Sequence, residues 1–330
     1  MGIISDLKKM GGYVVDEESE VSAHEKDEIS VDADAADVNI YTHAHDSVKA
    51  RLHGKVMAAK ESAVPCLELK ECDGAVVVRV KYPENFSFRF YCSVQLDVTI
   101  PENWTNKLQI STVSGDIYAD KLTGSDIFVK STSGDITIRD VTGKNITSGT
   151  VSGETEINKA DGENGFFESV SGSIRTDDAS FLYNFEAITV SGDLKINRLE
   201  CATAKAGTTS GDIEMACVSA GNVKAETGSG DIKIRIGKGS LELITSSGNI
   251  KAEVDEGFNS IKARSVSGDI KLHLPAASEF SLKAESVSGD IKCNFPVRVV
   301  SADDNCLTGV TGSGRGEIAA SSVSGDVLIT

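Results

Sequence analysis

The chain has 330 residues, 40% hydrophobic and 25% charged, the balance of an ordinary folded protein with material for a large core. Its formal charge of −17 excludes nucleic acid as a partner, and 5% aromatics is low for a sugar groove lined with stacking rings. The seven cysteines are an odd number without a CxxC pair, so they read as reduced and mostly buried thiols, with Cys293 on an inward position.

Residues 1–27 are polar and acidic, with Asp16-Glu17-Glu18-Ser19-Glu20, and read as a tail or a loosely attached strand. Met1-Gly2-Ile3-Ile4-Ser5-Asp6 lacks the apolar stretch of a signal peptide and has aspartate where a myristoylation signal has Ser or Thr. No apolar run reaches the roughly 18 residues of a membrane span. The expected location is cytoplasmic, or peripheral at the cell envelope.

Residues 28–107 form a less regular β segment expected to cap the repeats that begin at residue 108. Ile29, Val31, Val38 and Ile40 alternate, and Ala36-Asp37-Val38-Asn39-Ile40 is a degenerate copy of Gly-Asp-Ile-x-Ile. Pro65 and Pro83 divide the rest into strands, and Phe86, Phe88 and Phe90 share one strand face as a core stripe closing the end. His43 and His45 would point the same way beside Asp46. They are the candidate metal ligands, weighed against surface histidines on an acidic edge, and the expectation is no metal and no cofactor.

From residue 108 to 330 one motif recurs. Its glycines are Gly115, Gly134, Gly153, Gly172, Gly192, Gly211, Gly230, Gly248, Gly268, Gly289 and Gly325, spaced 18 to 21 residues apart up to Gly289 and 36 thereafter. Serine precedes every one, as in Ser114, Ser133, Ser191, Ser210, Ser229, Ser267 and Ser288. Aspartate follows eight of them: Asp116, Asp135, Asp193, Asp212, Asp231, Asp269, Asp290 and Asp326. Aliphatic residues alternate on both sides, which reads as strand, turn, strand. One unit buries only about four aliphatic side chains, too few to offset the ordering of its backbone, so units must stack. The fold class predicted is an all-β, single-stranded parallel β-solenoid (β-helix) of coils of about 19 residues, right-handed. The glycines serve as corners needing a special angle or close backbone approach, and the preceding serines are expected to bond corner backbone groups.

Stacked coils would set the aspartates about 4.8 Å apart, where like charges repel. Lys195, Lys233, Lys251, Lys271 and Lys292, two residues after the aspartate position or its Asn249 equivalent, are the expected compensation, with calcium the lesser alternative. Segment 294–317 breaks the period and is expected to be an excursion such as a hairpin, which caps this end unless another subunit does so. No catalytic constellation stands out. His273 is the one histidine beyond residue 53, and columns of repeated Asp are explained by repetition without catalysis.

Ser265–Ile270, Ser286–Ile291, the lead-in Val94–Pro101 followed by Leu108–Ile117, and the entry strand Ala35–Ile40 resemble the bacterial "putative-adhesin" family of β-strand-repeat domains of unknown function, from about residue 28 to 330. That resemblance implies no catalytic residues. It also implies kinship with the β-rich part of cell-envelope stress proteins, which sense cationic antimicrobial peptides and modulate a membrane signalling system. The expected function is a non-enzymatic, adhesin-like binding scaffold for a protein, peptide or envelope component. The alternatives are an envelope-stress regulator that binds cationic peptides, and a carbohydrate-active β-helix enzyme. End-to-end homo-oligomers are also expected as an option.

Overall fold

The computed structural model describes residues 11–58, 61–83 and 92–330, so the Phe86, Phe88 and Phe90 stripe lies outside the described residues. The chain divides into two compact units, Met1–Thr155 and Glu156–Thr330. Each is a parallel β-solenoid with coils of about 19 residues, as the repeat requires.

The first unit contains β1 (Gly11–Ser22), β2 (Glu28–Asp32), β3 (Asp37–His43), β4 (Ser47–Ala58), β5 (Cys66–Cys72), β6 (Ala75–Lys81), β7 (Cys92–Pro101), β8 (Lys107–Ser111), β9 (Ile117–Ser131) and β10 (Ile136–Thr150). From Gly11 the acidic start is a strand, antiparallel to β4 along its whole length. Arg51 holds Asp16 at 2.8 Å and Lys49 holds Glu18 at 2.8 Å across that pair. Stacking order differs from chain order. β2 lies between β6 and β8, parallel to both, and β3 lies between β7 and β9. The earliest coil is thus inserted between later ones. Antiparallel β4 and β5 cover the outer edges of β7 and β6.

The second unit takes in β11 (Thr155–Ser169, which starts on the last residue of the first unit), β12 (Ile174–Ile188), β13 (Leu194–Ser210), β14 (Ile213–Ser229), β15 (Ile232–Ser247) and β16 (Ile250–Ser267). β12 to β16 stack in sequence order. Then come β17 (Ile270–His273), β18 (Phe280–Ser286), β19 (Ile291–Cys293), β20 (Arg298–Asp303), β21 (Cys306–Val310), β22 (Gly316–Ser324) and β23 (Val327–Ile329). The final coil is again inserted: β22 lies between β16 and β18, and β23 between β17 and β19. Excursion 294–317 contains the β20–β21 hairpin, whose β21 runs antiparallel on the outer edge of β18. This detour accounts for the 36-residue gap before Gly325.

Inward residues stack in columns. In β14, Ile213, Met215, Val223 and Ala225 are all buried, and their counterparts in β13 and β15 lie directly beside them. Phe167, Phe181 and Phe185 form a buried cluster with ring centroids 5.6 to 6.3 Å apart. Gly165 makes room for it, because a Cβ there would run into the Phe181 ring. Cys293 is half-buried, not a core residue, because β19 is an outer strand that pairs with β23 alone among the described residues.

Candidate functional site

In each unit the glycine corners stack, and close approach is what demands glycine. A Cβ on Gly134 would land on the Gly115 carbonyl oxygen, and one on Gly230 on that of Gly211. Gly192, Gly211, Gly248 and Gly268 stack in the same way, and Gly289 lies over Gly325. Gly115 lies over Ala36, which places the degenerate Ala36–Ile40 copy in the same column.

The aspartates form a ladder through their side chains. In the first unit Asp116 Oδ1 accepts the Asp135 amide at 2.9 Å, and Asp135 Oδ1 accepts that of Glu154 at 2.8 Å. In the second, Asp193 accepts from Asp212 at 2.9 Å, Asp212 from Asp231 at 2.8 Å, and Asp231 from Asn249 at 2.7 Å. Asn249 Oδ1 accepts the Asp269 amide at 3.0 Å, Asp269 that of Asp326 at 3.0 Å, and Asp326 that of Asp290 at 2.8 Å. Each of these aspartate oxygens meets a backbone N–H of the next coil, as the Asn249 oxygen does, which offsets the repulsion between neighbouring carboxylates. The Asp326 amide, with help from Lys271, holds the Asp269 carboxyl below its usual range. The lysines share the work unevenly. Lys271 reaches Asp269 at 3.3 Å and Lys292 reaches Asp290 at 3.1 Å. Lys195 and Lys233 converge on Glu214 instead, and Lys251 pairs with Glu253.

The serines before the glycines differ from expectation. Ser133, Ser191, Ser210, Ser229, Ser267 and Ser288 are exposed, and the bonds they make across coils come from backbone atoms. The hydroxyls on the corner carbonyls belong to the residue three before each glycine. Thr208 donates to Gly192 O at 3.1 Å, Thr227 to Gly211 O at 2.9 Å, Thr245 to Gly230 O at 3.1 Å and Ser322 to Gly268 O at 3.0 Å. That position is Ser or Thr, and buried, in all eleven repeats. Geometry explains the exchange: it points into the coil, while the serine next to the glycine points out.

His43 and His45 are neighbours, with ring centroids 5.3 Å apart and planes at 85°. His43 Nε2 lies 2.8 Å from the Ser47 carbonyl oxygen and so carries its proton there, while His24 Nδ1 lies 3.2 Å from Asp46 Oδ2. No cluster of three or more His, Cys, Asp or Glu is placed to hold a metal among the described residues.

The second unit carries a recess of about 940 Å³ at its other corner, lined by Phe181, Leu182, Glu200, Cys201, Ala202, Ala220, Gly221, Lys238, Gly239 and Phe258 among others. Coil length builds it. From Gly172 to Gly268 the glycine spacings run 20, 19, 19, 18 and 20. β12 has an extra residue relative to β13 between Ser180 and Asn184, and β16 has two relative to β15 between Val254 and Ser260. The longer outer corners stand up as walls about four coil steps, roughly 19 Å, apart. The shorter corners between them carry Cys201-Ala202, Ala220-Gly221 and Lys238-Gly239, so the floor is low and, apart from Lys238, formed of small residues. Leu182 is 61% exposed on one wall. Burial pushes the Cys201 thiol up to about 12, so it stays protonated on that floor. No sequence signal singled out this recess except the spacing itself.

Glycine corners, an aspartate–amide ladder and an inward hydroxyl column define a repeat β-solenoid whose recurring columns serve its own backbone. The chain belongs to the Toastrack DUF4097 family, whose model matches residues 26–236 and again 166–330. Among solved structures it is similar to a putative adhesin from Parabacteroides distasonis, at 16% identity and a TM-score of 0.49, covering 72% of this chain and 96% of that one. It is also similar to a putative adhesin from Bacteroides fragilis, at 16% identity and a TM-score of 0.41, covering 75% of this chain and 96% of that one. Among curated proteins nothing matches. No helix among the described residues is long and apolar enough to cross a membrane.

Proposed function

We propose that the protein is a non-enzymatic binding scaffold that recognises a protein or peptide segment in the recess over β13, β14 and β15. The supporting observation is that recess: a walled depression with a floor of small residues and apolar side chains at both ends. Elsewhere the repeated Asp, Ser and Thr columns are occupied with holding coils together, as the ladder bonds describe. A rigid concave surface of this kind binds without reorganising, which lowers the cost of association. Glu200 and Asp161 line the recess with Lys238, and the whole chain carries −17, so segments that combine basic and apolar residues are favoured.

The test is selection of random displayed peptides on the full-length protein, followed by binding to Ala202→Arg. Ala202 is exposed, so the arginine fills the recess without entering the core. Selected peptides rich in basic and apolar residues, with affinity that weakens in salt and is lost in the variant, support the proposal. Peptides that bind the variant equally well overturn it.

A further inference from the structure

The last hairpin of the second unit leaves a strand edge open. β20 reads Arg298-Val299-Val300-Ser301-Ala302-Asp303, has all six residues exposed, and pairs with β21 alone among the described residues. Of the residues that normally blunt an exposed edge, β20 has neither lysine nor proline; it has a bulge, and its two charges, Arg298 and Asp303, are opposite in sign. The extra residue in β20 between Val299 and Ser301, relative to β21, leaves adjacent Val299 and Val300 at 54% and 67% exposure.

A stripe of exposed valines lies at the same end. Val266, Val323 and Val287 hold one position in three consecutive coils, with Ser265 beside Ser322 and the Ser288 amide on the Val323 carbonyl. In the three preceding coils that position is Thr209, Gly228 and Ser246, and exposed Val170 and Val190 hold it in the two coils before those.

The β20 sequence complements itself. With Val300 as the extra residue, antiparallel pairing about a two-fold axis through Ser301 sets Arg298 opposite Asp303 of the second copy, and does so twice. Val299 then meets Ala302, and Ser301 meets its own copy. Arg298 and Asp303 are both exposed, Arg298 forms no ion pair among the described residues, and Asp303 Oδ1 accepts the Asn305 amide at 2.9 Å. We infer that the protein forms a two-fold dimer by antiparallel pairing of β20 with β20 of a second copy of the chain. Exposed Val299 and Val300 add apolar area to a pairing that a single strand edge would hold only weakly. A dimer of this kind joins two recesses into one bivalent object.

Sedimentation of the full-length chain across a concentration series tests this. The expected mass tends toward twice 34.8 kDa as concentration rises, and amide exchange of residues 298–303 slows in step. Arg298→Asp sets carboxylates opposite carboxylates at both ends of the seam and weakens dimerisation about tenfold. The exchanged pair Arg298→Asp with Asp303→Arg restores it, which damage to the hairpin would not permit. A monomer at every concentration overturns the inference, as does a dimer indifferent to Arg298→Asp or a double variant that fails to recover. Ala202→Arg leaves the dimer intact, so this outcome is separable from that of the recess.

Discussion

Asp326 Oδ1 accepts the backbone amide of Asp290 at 2.8 Å, although the chain reaches Asp290 first. The bond marks the point where the final coil slips in below the coil made before it. β22 and β23 thereby gain parallel partners on both sides, and the C-terminal strand is not an exposed edge. What the ladder requires of its side chain is an oxygen acceptor, since Asn249 fills the same place. Asp326→Asn should leave stability nearly unchanged, whereas Asp326→Ala should cost about 1 kcal/mol, the usual loss when a side-chain cap on a backbone amide is removed. Urea unfolding of the two variants checks this.

Thr227 and Ser169 hold equivalent inward positions in different circumstances. The Thr227 hydroxyl donates to Gly211 O at 2.9 Å, while the buried Ser169 Oγ has no partner among the described residues. Thr227→Val strips a buried carbonyl of its donor and is expected to destabilise by about 1 to 2 kcal/mol. Ser169→Ala removes a polar atom that gains nothing from burial, and should be neutral or stabilising. Equal losses for both in denaturant titration would contradict the hydroxyl column as described.

Gly134 and Gly257 hold different corners of the repeat, and their surroundings differ in space. A Cβ at Gly134 collides with the Gly115 carbonyl, and one at Gly257 meets nothing within 4 Å. Gly134→Ala should therefore force two coils apart and cost about 3 kcal/mol or more, in the range of overpacking at a rigid backbone contact. Gly257→Ala should fall within about 0.5 kcal/mol of the parent. Thermal melts of both variants decide the matter.

The solenoid was legible because its cause is local and repeated: Ile117, Ile136 and Ile213 recur at one offset from a glycine, and a unit that short can be buried only by its own copies. The inserted coils were not. Ala36-Asp37 shows that residues 36–40 are a coil, but nothing in its residues says that β6 and β7 will lie outside it, because parallel neighbours present the same aliphatic columns on both edges. The hydroxyl column was present in the letters, as Thr227 and Thr245 show, but the serine beside the glycine drew attention because it is the same in every repeat. The recess was visible only as small differences among the spacings from Gly172 to Gly268, whose meaning depends on which coils are neighbours.

Acid should weaken the fold through the outer carboxylates. The Lys233 ammonium holds the Glu214 carboxyl below its usual range, Lys251 does the same for Glu253, and the Asp326 amide for Asp269. A carboxyl with a depressed folded-state value binds its proton more readily in the unfolded chain. Its contribution is complete above the ordinary carboxylate range and is lost as pH falls through the depressed value. Urea midpoints measured downward from neutral pH should decline, and Asp269→Asn, which keeps the acceptor and removes the charge, should make that decline shallower.

Cys201 gives the opposite limb. Its thiol is raised from 9.0 to about 12 by burial first and by the nearby Glu200 carboxylate second. The unfolded chain releases this proton earlier than the folded one, so the stabilisation is full below about 9 and disappears as pH climbs toward 12. Cys201→Ala should flatten this alkaline loss. The same burial predicts selectivity in thiol labelling at neutral pH: exposed Cys66, Cys72 and Cys217 should react with a maleimide in the native protein, and Cys201 only after unfolding. Mass spectrometry of labelled peptides reads both outcomes, and native labelling of Cys201 at the rate of Cys217 would show that the recess floor opens to solvent.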